Sequence, residues 1–138
     1  MVDNQKIKNI LSLAIRLENL CEGFDETNKS AVLTSKIKVL LEISKADSVT
    51  PNILKTNVGL AKSNIAILCN ALTKESLIKK NKDSADTREI TYSITEKGLD
   101  ELDKFLSKAK KNFEGRLAYK NNMKQIDESV ENLLGLVK

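Results

Sequence analysis

Between residues 62 and 74 the chain carries Lys62, Ser63, Asn64, Ile67, Asn70 and Lys74, side chains suited to contacting a polar, negatively charged surface. Carboxamides and hydroxyls donate and accept hydrogen bonds, so they can meet the edges of bases; ammonium groups can neutralise phosphates. Lys55 precedes this set, and Lys79, Lys80 and Lys82 follow it. A third group, Asp86 and Arg88, comes next. Residues 51–82 hold six lysines against Glu75 alone, a net +5, whereas the whole chain carries +4. Such a bias suits either a solvated lysine face or a polyanion partner, and its overlap with the amide- and hydroxyl-bearing stretch 62–74 favours the polyanion. Ile67 fits two roles, contact with a thymine methyl or an ordinary exposed apolar residue.

Other chemistries are poorly supplied. The chain has no histidine, which removes the usual general base and the commonest metal ligand. No Gly-rich phosphate loop, nucleophile elbow or zinc spacing occurs. An enzyme is therefore not expected, nor a cofactor or a metal. Two cysteines make no framework. Cys21 is either a redox-sensing thiol or a small apolar seam residue, and Cys69 reads as packing.

The elements that must position these groups follow from periodicity. At 138 residues, with 41% hydrophobic and 30% charged content, one mainly helical domain is expected. Apolar residues at Ile7, Ile10, Leu11, Ala14, Leu17, Leu20, Cys21 and Phe24 predict an amphipathic helix. After a polar break at 25–30, Thr34 or Ser35 caps a second helix with Ile37, Leu40, Leu41 and Ser44 on one face. Thr50-Pro51 starts a short third helix, with Ile53, Leu54 and Val58 inward and Gly59 at the turn. Ile65, Leu68, Cys69 and Leu72 form the buried stripe of a fourth.

A hairpin follows, with strands over 77–82 and 88–94 and a loop at 83–87; Ile90, Tyr92 and Ile94 point inward, Thr91 and Ser93 outward. Thr95-Glu96 opens a long helix whose stripe is Leu99, Leu102, Phe105, Leu106, Ala109 and Phe113. A last helix over about 117–137 carries Met123, Ile126, Val130, Leu133 or Leu134, and Val137. The apolar faces of the terminal helices are long for a monomer of this size, which favours a dimer seam. No run of ~18 apolar residues or secretory h-region is present, so the cytoplasm is expected.

This order of elements resembles the MarR (multiple antibiotic resistance regulator) family of bacterial transcription factors. Its wing signature, Asp-any-Arg, five residues, Leu-Thr, two residues, Gly, stands here as Asp86, Arg88, Ile94-Thr95 and Gly98, with Ile for Leu. The chain departs from the family pattern at Ala61, often Ser; at Ile67, often Arg; and at Ser76, often Gly. The resemblance implies a homodimer, with residues 5–30 and 113–138 as dimerisation helices. Residues 34–98 would be the winged helix-turn-helix and 95–115 the connecting helix. It further implies Arg88 in the minor groove, Asp86 ordering the wing tip, and a small-molecule effector that relieves repression. The expected function is a sequence-specific DNA-binding repressor on a pseudo-palindromic operator in the bacterial nucleoid, released by a ligand or by oxidation. The alternative is a winged-helix protein-interaction module or antirepressor that has lost DNA binding.

Overall fold

The computed structural model describes residues 2–22, 33–82, 89–116 and 119–137. Its elements run α1 (Asn4–Glu22), α2 (Ser35–Ser44), α3 (Pro51–Val58), α4 (Lys62–Lys74), β1 (Ile78–Lys82), β2 (Ile90–Ile94), α5 (Glu96–Arg116) and α6 (Tyr119–Leu136). The chain divides into two compact units, Leu33–Phe105 on one side and Met1–Val32 with Leu106–Val137 on the other. The expected architecture, mainly helical with a two-stranded wing, is the one adopted. The polar break at 25–30 and the wing tip, with Asp86 and Arg88, lie outside the described residues.

Local chemistry sets the helix ends in the first unit. The Thr34 hydroxyl accepts the Ile37 N–H at 3.2 Å, so Thr34 rather than Ser35 caps α2. Thr50 does the same for Ile53 at 3.3 Å, with Pro51 at the first helical position. Gly59 ends α3 at φ 76°, in the left-handed region that a Cβ disfavours. Helix α4 stops in a doubly bonded cap: the Leu77 N–H donates to Leu72 O and the Ser76 N–H to Thr73 O, both at 3.0 Å. Buried Leu77 and Leu72 supply the apolar contact that accompanies such a cap. Leu77 therefore belongs to the helix end, and β1 begins one residue later than the alternation suggests.

The core of this unit joins Val39, Leu40, Ile43, Val49, Leu54, Ile65, Cys69, Leu72, Leu77, Ile78, Tyr92 and Leu102. In three places the buried faces differ from those expected from periodicity. Helix α2 buries Val39 and Ile43 fully, with Ile37, Leu41 and Ser44 only half-buried, because its inner face is centred one position further round. Ile53 is exposed, since the eight-residue α3 turns only Leu54 fully inward. On α5, Leu102, Phe105 and Ala109 are buried but Leu99 and Leu106 are exposed.

The hairpin is antiparallel, pairing Ile78 with Ile94, Lys80 with Tyr92 and Lys82 with Ile90. It is anchored through a short bridge in which Val49 and Tyr92 exchange backbone hydrogen bonds of 2.9 and 2.8 Å. The second strand begins at Ile90, two residues later than expected from the alternation. Thr91 and Ser93, expected to point outward, are half-buried. Ser93 Oγ donates to Asp47 O at 2.8 Å and accepts from Asn81 Nδ2 at 2.7 Å.

The other unit differs in how it treats its apolar faces. Ile7, Ile10, Leu11 and Leu17 on α1 are all exposed, as are Met123, Val130, Leu133 and Leu134 on α6. Periodicity identified these apolar faces, but the chain by itself leaves them open. Helix α6 is broken at Asn122 (φ −132°, ψ 23°), so the single helix expected there is two helical pieces. No helix among the described residues is long and apolar enough to cross a membrane.

Candidate nucleic-acid interface

Helix α4 presents its two sides very differently. Ile65, Cys69 and Leu72 are buried and Leu68 half-buried, whereas Lys62, Ser63, Asn64, Ala66, Ile67, Asn70, Ala71 and Lys74 are exposed. At 100° per residue, Ser63, Ile67, Asn70 and Lys74 fall within an arc of about 60° opposite the buried stripe, with Lys62 and Asn64 flanking it. Four of the six sequence-predicted residues of this helix, Ser63, Ile67, Asn70 and Lys74, are thus brought together, and Lys62 and Asn64 are exposed to either side of them. Among the described residues, neither Asn64 nor Asn70 has its carboxamide engaged in a hydrogen bond. Ile67 is 66% exposed, so the core does not hold it.

The lysines outside α4 divide into separate sets. Lys55 is exposed on α3. On the hairpin, pairing and strand alternation put Lys80 and Lys82 on the face shared by Tyr92 and Ile90, and Lys79 on the opposite face with Ser93. All three are exposed. The wing therefore offers cations from both faces rather than as one patch.

Three of the signature residues near the hairpin base hold it to α4 and α5. The Thr95 hydroxyl shares its one proton between Ser76 O (2.7 Å) and Leu77 O (3.0 Å) and accepts the Gly98 N–H at 3.0 Å, capping α5. The Thr95 N–H also donates to Leu77 O at 3.1 Å. Gly98 is buried against this junction: a Cβ there would overlap the Leu77 carbonyl oxygen and lie 2.8 Å from Ile94 Cγ1. The signature's Ile, Thr and Gly thus act together to fix where the wing leaves α4. Their spacing was visible in the sequence; the contacts that require it were not. Glu75 reinforces the joint, pairing with Lys36 at 3.2 Å while its carbonyl accepts from Lys97 Nζ at 2.9 Å.

The departures at Ala61 and Ser76 now have structural consequences. Ala61 precedes α4 with no side-chain cap, leaving the first-turn N–H groups without the hydroxyl partner a serine would bring. Ser76 sits at φ 61°, the left-handed conformation that glycine adopts most easily.

Cys69 is fully buried, and burial pushes its thiol from 9.0 to about 11. A thiol so disfavoured as thiolate is a packing group, as its place on the inner stripe suggested. Burial raises the Tyr92 hydroxyl too, with the nearby Cys69 adding to it. The side chain of Cys21, the redox candidate, lies outside what the structure describes. An open cleft of about 290 Å³ lies between α2 and α3, lined by Leu33, Lys38, Leu41, Glu42, Asn57 and Val58. Asn57 Nδ2 donates to Glu42 across it at 3.2 Å.

Residues 35–113 match a family model described as a winged helix DNA-binding domain, which takes in α2 through most of α5. No curated protein matches the sequence significantly. Solved structures match in fold. NadR in complex with 4-hydroxyphenylacetate has a TM-score of 0.71 at 12% identity, covering 100% of this chain and 93% of that one. The multiple antibiotic resistance repressor MarR has a TM-score of 0.62 at 18% identity, over 99% and 96%. BpsR of Bordetella bronchiseptica, whose DNA binding is regulated by 6-hydroxynicotinic acid, has a TM-score of 0.62 at 12% identity, over 96% and 99%. At these identities the likeness establishes the fold alone, shared by MarR-like regulators across nearly the whole chain. With the family match spanning more than half its length, the chain belongs to the winged helix DNA-binding domain family.

Proposed function

We propose that this protein is a MarR-type transcriptional repressor, binding a pseudo-palindromic DNA operator as a homodimer. The reading is carried by the open side of α4, where uncommitted amides and a hydroxyl are bracketed by Lys62 and Lys74 and backed by a packed stripe. A helix of that width fits a major groove. Lys55, Lys62, Lys74, Lys79, Lys80 and Lys82 would neutralise phosphates, while Ser63, Asn64, Ile67 and Asn70 face base edges. By its resemblance to the family signature, Arg88 would enter the minor groove from the wing tip and Asp86 would order that tip.

Pairing is supported by the open apolar faces of α1 and α6, which a second copy would cover. Release by a small-molecule effector is supported by likeness to BpsR, whose DNA binding is regulated by 6-hydroxynicotinic acid, and to NadR in complex with 4-hydroxyphenylacetate. Oxidation of Cys21 is the other route. A repressor of this kind works on the nucleoid, in the cytoplasm. The specific observation favouring a different role, a winged-helix module that sequesters another regulator, is the exposed Ile67.

Footprinting on duplexes selected from a random pool tests the proposal. Two protected half-sites should appear with centres about one helical turn, roughly 34 Å, apart. A monomer in sedimentation, or no shift of any duplex at low salt, contradicts it; the latter with retained protein capture favours sequestration.

A further inference from the structure

The open side of α4 has a composition that selects among base pairs. From Lys62 to Lys74 the helix carries no arginine, no glutamine and no acid, and its lysines stand only at its two ends. Guanine is most often read by arginine or lysine at O6 and N7, and cytosine by a carboxylate accepting from N4. Neither group is available in the middle of the helix. What stands there instead is Asn64, Ile67 and Asn70, all exposed. A carboxamide matches the N6 donor and N7 acceptor of adenine in a bidentate pair, and an aliphatic side chain matches the C5 methyl of thymine. Ile67 and Asn70 are three residues apart, a rise of about 4.5 Å, comparable to the roughly 3.4 Å between stacked base pairs. One can therefore meet a thymine while the other meets an adenine in a neighbouring pair.

We infer that α4 reads A·T pairs at the centre of each half-site, with Asn70 bonding adenine and the Ile67 side chain packing on a thymine methyl. Ile67, 66% exposed, is then covered by the DNA. Asn64, flanking the arc toward the N-terminal end, is placed to extend the same readout by a further pair. The inference rests on the proposed DNA-binding role and deepens it by naming the sequence class recognised.

The test removes the methyl from the DNA rather than from the protein. Duplexes selected by the full-length protein from a random pool are resynthesised with uracil replacing thymine at one position at a time. One central thymine in each half-site should lose about fourfold in affinity, the value of one buried methyl. The Ile67→Ala variant should bind the thymine duplex more weakly and no longer distinguish uracil from thymine. The Asn70→Ala variant should instead relax the choice of adenine while remaining sensitive to uracil. Binding that selects G·C at these positions, or that ignores uracil throughout, overturns this inference and leaves the DNA-binding role standing. Failure to bind any duplex overturns both.

Discussion

Replacing Gly98 by alanine should damage this protein, although alanine is the better helix former. An ordinary glycine in a helix gains about 1 kcal/mol on becoming alanine. At Gly98, however, the new Cβ would overlap the Leu77 carbonyl oxygen and press on Ile94 Cγ1 at 2.8 Å. The oxygen it would displace accepts both the Thr95 N–H (3.1 Å) and the Thr95 hydroxyl (3.0 Å). Relief of the overlap requires α5 to lift from the base of the wing. That stretches two hydrogen bonds of about 1 kcal/mol each and adds overpacking strain of about 1–3 kcal/mol. Set against the propensity gain, the net loss is about 2–4 kcal/mol. For a domain of this length that lowers the midpoint of thermal unfolding by roughly 5–15 °C. Circular dichroism melts of both proteins at one fixed concentration measure it. An alanine variant as stable as the wild type would show that Gly98 is an ordinary helical position and that the junction is loosely packed.

Other perturbations follow from single residues. Ser76→Gly should stabilise the chain by about 0.5–1 kcal/mol in urea denaturation, because glycine removes the left-handed strain at φ 61°; no gain would mean that the cap carries no strain. The Cys69 thiol is raised from 9.0 to about 11 by burial, so folding favours its protonated form. Its contribution is therefore complete below pH 9 and is lost as the pH rises to about 11, roughly 2–3 kcal/mol in all. The difference in unfolding free energy between wild type and Cys69→Ala should narrow across that window; a constant difference would contradict the burial argument.

Sequence periodicity carried most of the fold because each short helix has one buried side and a recognisable start. Thr50-Pro51 and Thr34 announce α3 and α2 through chemistry confined to four residues. What periodicity could not show was what covers an apolar face. The exposed leucines and isoleucines of α1 and α6 have the same spacing as a buried stripe. Boundaries shifted where two motifs compete for one residue. Leu77 suits a strand by type, yet its N–H closes the cap of α4. Ile53 looks like core by type, but an eight-residue helix has room for little more than Leu54 to be fully buried.

At the candidate interface, the open side of α4 was legible because the buried stripe at Ile65, Cys69 and Leu72 fixes the opposite direction geometrically. The division of the wing lysines was not, since it depends on the register that pairs Lys80 with Tyr92 and Lys79 with Ser93. Thr95 and Gly98 stand at fixed spacing in the sequence, but the reason is the Leu77 carbonyl, a partner nearly twenty residues away.

The salt dependence of duplex binding tests most directly whether the lysine-flanked side of α4 meets a phosphate backbone. Fluorescence anisotropy with a selected duplex should give a straight, falling plot of log affinity against log salt concentration. Lys62→Ala and Lys74→Ala should each lower its slope by about 0.9, one phosphate contact apiece. Slopes unchanged by both substitutions, at undiminished affinity, would contradict the account.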